Sequence, residues 1–172
     1  MSNQSNIEWT NATWNPVTGC TKISDGCLNC YAERLSKRLK AMGNPNYQNA
    51  FEVTCHEHMI SRPLEWVKPK RIFVNSMSDL FHEKVSVDFI KRVFSTMKNA
   101  RWHQFQVLTK RTARLRELSP QLEWADNIWA GVSVENQEVT FRIEDLLATS
   151  AKIKFISFEP LLGKITNLNF SG

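Results

Sequence analysis

Apolar and β-branched residues gather in five short runs: Ala12 to Gly19, Arg71 to Asn75, Gln104 to Thr109, Asn127 to Val134 and Lys152 to Phe158. Runs of this length between polar stretches read as buried strands. Helical spacing fills the intervals. Tyr31 to Met42 sets Leu35, Leu39 and Met42 on one face and Glu33, Lys37 and Lys40 on the other. A second stripe, Phe89, Ile90, Val93, Phe94 and Met97, follows a candidate cap at Ser86. A third, Val139, Ile143, Leu146 and Leu147, follows Asn136. Thr112 to Leu118 reads as a shorter, basic helix ahead of Pro120.

Strand and helix alternating at this spacing predict an α/β fold with a mainly parallel sheet, because parallel neighbours need a crossover of a dozen residues or more. An open doubly wound sheet and a partial barrel both satisfy the pattern. Residues 43–70 break the rhythm with Asn44-Pro45-Asn46, an extended Phe51 to Cys55, and an apolar Met59 to Val67 stretch interrupted by Pro63. They read as an excursion between the first helix and the second strand. A length of 172 residues, 42% hydrophobic and 23% charged, suits a single globular domain over residues 1–172.

No apolar run reaches membrane length, and the first residues, MSNQSNIEWTNATW, carry neither a basic region nor an apolar one of secretory type, so the expected location is the cytoplasm. The net charge of +5 is compatible with an anionic partner. Six tryptophans, together with Lys68-Pro69-Lys70-Arg71 and the basic run Lys110 to Arg116, offer stacking and phosphate contacts to nucleic acid, although Trp129 lies within a predicted strand and suits the core.

In parallel α/β folds ligands collect beyond the carboxyl ends of the strands. The residues there are Cys20, then Ser76-Met77-Ser78-Asp79, Lys110-Arg111, Glu135-Asn136 and Glu159-Pro160. Together they suit a charged, polar ligand. No Gly-rich dinucleotide fingerprint, P-loop, zincin helix or nucleophile elbow is present.

Cys20, Cys27 and Cys30 form a C-x6-C-x2-C motif on a loop leading from a strand into a helix. Cys27 and Cys30 can meet one centre from a single turn, and the arm loosened by Gly26 lets Cys20 return to it. Thiolates suit iron-sulfur clusters and zinc. Three thiolates on a four-iron cluster leave one iron open for a substrate or cofactor. Three plus a fourth donor, available at Cys55-His56-Glu57-His58, make a closed zinc site. Buried inert cysteines and a thioredoxin-like Cys27/Cys30 pair are the remaining readings.

The runs Trp9-Thr10-Asn11-Ala12-Thr13-Trp14-Asn15-Pro16-Val17-Thr18-Gly19-Cys20 and Gly26-Cys27-Leu28-Asn29-Cys30-Tyr31-Ala32-Glu33-Arg34 closely resemble an uncharacterised phage-associated family with a three-cysteine motif. Its members are similar to radical S-adenosylmethionine (SAM) enzymes related to spore photoproduct lyase. Phe73 to His82, Leu108 to Arg111, Trp129 to Glu135 and Ile156 to Leu162 match in the same order. The resemblance implies a partial (β/α) barrel of about five parallel strands with a 4Fe-4S cluster on Cys20, Cys27 and Cys30. SAM would chelate the open iron, and one electron would cleave it to a 5′-deoxyadenosyl radical. On this reading Ser76, Ser78 and Asp79 meet the SAM ammonium, Lys110 its carboxylate, and Ser133 and Glu135 its ribose. Glu159 contacts SAM or the substrate, and the substrate is a nucleic acid or nucleotide.

Two departures accompany the match. Radical SAM enzymes commonly space the motif C-x3-C-x2-C with an aromatic residue before the last cysteine, whereas here the first gap is six and Asn29 holds that place. Family members also continue past Phe158-Glu159-Pro160-Leu161-Leu162 with another strand and a Gly-rich loop. This sequence ends at Asn169-Phe170-Ser171-Gly172. The expectation is therefore a barrel lacking its last strand and C-terminal segment, either with a second chain over the sheet edge after residues 152–158 or as a truncated or split product. The alternatives are a non-catalytic phage protein or binding module stabilised by zinc, and a degenerate member without turnover.

Overall fold

The computed structural model describes Ile7, residues 9–166 and Leu168. In chain order its strands are β1 (Ala12–Trp14), β2 (Val17–Thr18), β3 (Thr54–Cys55), β4 (Arg71–Val74), β5 (Gln104–Thr109), β6 (Ile128–Ser133) and β7 (Ile153–Ser157). Its helices are α1 (Tyr31–Ala41), α2 (Val87–Asn99), α3 (Thr112–Leu118) and α4 (Phe141–Leu147). Five strands make one sheet in the order β1-β4-β5-β6-β7, every neighbouring pair parallel and joined through one of the helices. All five carboxyl ends therefore point the same way. Among the described residues, β7 pairs only with β6. Residues 169–172, at which the expectation of a lacking last strand was drawn, lie outside the described residues.

The predicted first strand divides in two. Asn15-Pro16 follows β1, and the chain then leaves the sheet so that β2 pairs antiparallel with β3 instead. Proline has no N–H to give a ladder. The Pro16 carbonyl is used elsewhere, accepting from His56 N at 2.8 Å. This small two-stranded sheet, with 3-10 turns at Pro45–Tyr47, Glu57–Met59 and Arg62–Glu65, is what the excursion of residues 43–70 becomes.

The stripe on α2 is as the spacing predicts: Phe89, Ile90, Val93, Phe94 and Met97 are all buried, and the Ser86 hydroxyl accepts from Phe89 N. Burying each such side chain contributes about 1.5–3 kcal/mol. On α1 the predicted face is corrected. Leu35 and Met42 are exposed, and the helix turns Ala32 and Ser36 inward. Small residues allow the backbone of α1 to sit close, while Ser36 satisfies its hydroxyl on the Glu33 carbonyl. Asn136 caps a 3-10 turn, Gln137–Val139, rather than the helix itself, and α4 begins at Phe141. No helix among the described residues is long and apolar enough to cross a membrane.

Candidate functional site

One cavity of about 610 Å³ opens at the carboxyl ends of the strands. Cys20, Cys27 and Cys30 line one side of it. Ser76, Ser78 and Asp79 from the end of β4, Lys110 from β5, Ser133 from β6 and Glu159 from beyond β7 line the rest. Trp9 and Phe73, with ring centroids 4.8 Å apart, add an aromatic wall. Nine of the ten residues expected from the sequence thus meet around one space, and Glu135 does not line it.

The cysteine loop is held from several sides. Gly19, at φ +81°, donates its N–H to the Met77 carbonyl, and an added Cβ there would sit 2.2 Å from the Glu52 carbonyl oxygen. Only glycine fits this left-handed position against neighbouring backbone. Cys20 N donates to the Phe51 carbonyl at 3.2 Å. Cys27 closes a 3-10 turn, Asp25–Cys27, and Cys30 is the residue before α1.

Below that turn lies Glu135, fully buried. Its Oε2 accepts from Arg142 Nη1 at 2.6 Å, and its Oε1 accepts from the Ser24 hydroxyl. Arg142 is also buried and donates to the Ser133 carbonyl at 2.8 Å. Both oxygens of Glu135 are thus committed to the protein, one of them to the cysteine loop.

Asp79 is equally committed. It accepts from Thr109 Oγ1 at 2.7 and 2.9 Å, from Lys110 N at 3.2 Å and from Phe81 N at 3.0 Å. Arg111 Nη1 lies 3.5 Å away. Ser78 donates to the Val17 carbonyl and Ser76 to Asn15 Oδ1. Among the described residues, none offers the side chain of Lys110 or Glu159 a hydrogen bond or ion pair. Asn75, at φ +61°, also lines the cavity, taking the Val17 N–H on its Oδ1 while its buried Nδ2 has no partner.

The residue that sequence reasoning passed over is Arg111. Its side chain is buried, and Nη1 reaches Cys20 Sγ at 3.4 Å. The available signal was its position immediately after β5, beside the selected Lys110. Burial and the Asp79 carboxylate push the Cys20 thiol up to about 11, with Arg111 pulling the other way.

The donor set fits a thiolate-ligated cluster. Three thiols line one side of the same cavity, and a guanidinium contacts one of them. Among the described residues no three Cys, His, Asp or Glu side chains converge as the shell of a single ion does. Cys55 is exposed on β3 and outside the cavity lining, while His56 faces Thr18 Oγ1 and His58 faces Asn46 Oδ1. A cluster spreads its ligands over separate irons, so its thiolates need not converge on one point.

The sequence matches the family described as "Protein of unknown function (DUF5131)" over residues 4–172. The chain belongs to this family. No curated protein matches it. Two solved structures of spore photoproduct lyase are similar in fold at 12% identity. One is a doubly substituted mutant with bound AdoMet and dinucleoside spore photoproduct (TM-score 0.61; 90% of this chain, 47% of that one). The other is a singly substituted mutant (TM-score 0.58; 91% and 48%). The chain therefore spans about half the length of those proteins, and its five-stranded parallel sheet shares the fold of that part of spore photoproduct lyase.

Proposed function

We propose that this DUF5131 chain is an iron-sulfur, radical SAM-like enzyme, with Cys20, Cys27 and Cys30 holding a 4Fe-4S cluster. The observation that carries the reading is the meeting of all three thiols with polar groups from the ends of β4, β5, β6 and β7 around one cavity. Bound there, cluster and SAM would supply a carbon-centred radical for hydrogen abstraction.

The chain's own residues divide into two sets. Lys110 and Glu159, unpaired among the described residues, would bind the charged ends of a ligand. Ser76, Ser78 and Ser133 would border it, offering hydroxyl or backbone groups. Asp79 and Glu135 act differently from the sequence expectation. Their oxygens are already taken up by the chain, so they hold Thr109, Arg111, Ser24 and Arg142 in place around the cofactor rather than contact it. Trp9 and Phe73 offer an apolar face that helps exclude water.

A nucleotide or nucleic acid substrate is supported by that aromatic wall, by the net charge of +5 and by the dinucleoside held in a protein of similar fold. A second chain pairing with the outer edge of β7 is part of the same proposal, supported by the lack of a further strand on that edge among the described residues. Light scattering of the loaded protein tests it: a mass of one chain removes that partner for the isolated protein.

Anaerobic preparation tests the core of the reading. The expected protein is brown, carries about four irons per chain, and releases 5′-deoxyadenosine from SAM on reduction. A colourless protein with one tightly held zinc overturns it. A cluster without SAM cleavage leaves a degenerate, non-catalytic member.

A further inference from the structure

Arg111 is the one guanidinium in the described structure that contacts a cysteine sulfur, and all five of its N–H groups are directed. Nε faces both oxygens of Glu83 at 3.1 Å, Nη1 faces Cys20 Sγ at 3.4 Å and Asp79 Oδ2 at 3.5 Å, and Nη2 donates to the Thr21 carbonyl at 3.1 Å and hydroxyl at 2.9 Å. Asp79, Glu83 and Thr21 account for the burial of this side chain, and a neutral thiol, a weak acceptor, adds little to them. An anionic sulfur adds much more, because a charge-assisted bond in a site of low dielectric is far stronger.

The counter-charges are asymmetric. Asp79 is buried and divided among Thr109, Lys110 N and Phe81 N, whereas Glu83 is about two-thirds exposed and its charge is screened by water. At Cys20 the Asp79 carboxylate opposes the Arg111 guanidinium and is the stronger of the two charges, so taking Arg111 away leaves that carboxylate unopposed beside the sulfur.

We infer that Arg111 is a positioning residue that tunes the reduction potential of a centre bound through Cys20, with Glu83 as its counterweight. The inference rests on the cluster proposed above. A fixed positive charge next to one ligating sulfur favours the more negative, reduced state and raises the potential. It also ties Cys20 and Thr21 to the end of β5, so the first cysteine is held to the barrel independently of the other two.

The test is potentiometric titration of the anaerobically loaded full chain, followed by the visible absorbance of the cluster. R111M is expected to shift the midpoint to more negative values and to lose iron to a chelator faster than wild type. R111K, which keeps the charge, is expected to hold a near-native midpoint even if its looser geometry speeds iron loss. E83Q removes an opposing charge at the surface and is expected to shift the midpoint the other way. Opposite shifts in R111M and E83Q are the signature of electrostatic tuning, since a purely structural role moves iron retention but not the potential with a sign. Unchanged midpoints in both, or shifts of the same sign, overturn the inference while leaving the cluster in place. If R111M does not fold, E83Q and R111K decide the matter alone. A wild-type chain that takes up no cluster overturns the functional reading itself, and this inference with it.

Discussion

Removing the Glu135 carboxylate separates two roles for that residue. Its position after β6 points to a ligand's ribose, but its contacts make it an internal anchor. In the second case E135A leaves the Arg142 guanidinium buried with the Ser133 carbonyl as its remaining acceptor, and with a Nε that already lacks a partner. Breaking one side of a buried ion pair costs about 3–5 kcal/mol. That is a large part of the roughly 5–15 kcal/mol that holds a domain folded. For a chain of this size it corresponds to a fall in Tm of about 6–20 °C. The assay is thermal unfolding of the metal-free protein by circular dichroism, so no cofactor contributes. E135A/R142M removes both charges and is expected to recover most of the loss, because two unpaired charges need no longer be buried. The double variant still lacks the acceptor for Ser24, so its cysteine loop stays loose and its iron is lost faster. An E135A protein melting within about 2 °C of wild type would refute the anchor and return Glu135 to the ligand side.

Other outcomes follow from the same contacts. G26A sets a Cβ 2.7 Å from Glu135 Oε1 and 2.9 Å from its Cδ; with that carboxylate pinned, the turn carrying Cys27 must move, costing about 1–3 kcal/mol and most of the iron, read by melting and metal analysis. C55A is expected to keep the full iron content and C27A to lose it; equal loss in both would restore the zinc reading. His103 is buried with Nδ1 accepting from Lys70 N and Nε2 donating to the Pro63 carbonyl, and burial holds its pKa below the usual 6.5. The unfolded chain then binds a proton the folded chain refuses, so this stability is complete above pH 6.5 and is lost as pH falls below it, at most about 1.4 kcal/mol per pH unit. Urea midpoints across that range should fall for wild type and fall less for H103Q. His56 and His82 are shifted in the same direction and keep part of the slope.

The sheet was legible because each of its strands is a short apolar run with a helix between neighbours, a pattern that only a parallel arrangement accommodates. Two features escaped for physical reasons. Val17-Thr18 looks like a continuation of β1 in any window of hydrophobicity, and only the missing N–H of Pro16 marks the break. The inward face of α1 is built from Ala32 and Ser36, which carry almost no hydrophobic signal, with Leu39 of the predicted face half-buried beside Ala32, while Leu35 and Met42 carry a strong signal and face outward. Hydrophobic period identifies a burying face when large side chains do the burying, as on α2, and misreads a helix that packs through small ones.

For the site, position along the strands was enough to bring six residues to one cavity and the cysteine motif and the family resemblance added three, yet position did not separate ligand-facing groups from those holding the frame. Asp79, Lys110, Glu135 and Glu159 are all charged residues just past a strand. What divides them is supply of partners in space. Thr109, Phe81 N and Lys110 N converge on Asp79 from β5 and the turn after β4, and Arg142 reaches Glu135 from α4, whereas none of the described residues reaches the side chains of Lys110 or Glu159. A buried carboxylate with every oxygen satisfied gains nothing by turning to a ligand, because it would leave its own donors unpaired at about 1–3 kcal/mol each. The same reasoning reverses at Cys20. Its sulfur is approached by a cation already paired with Asp79 and Glu83, whose added contact with a neutral thiol is weak and strengthens when the sulfur is anionic. Satisfied oxygens thus set Asp79 and Glu135 in the frame, and on the proposed reading the contact of Arg111 with Cys20 is where that frame would meet the cluster.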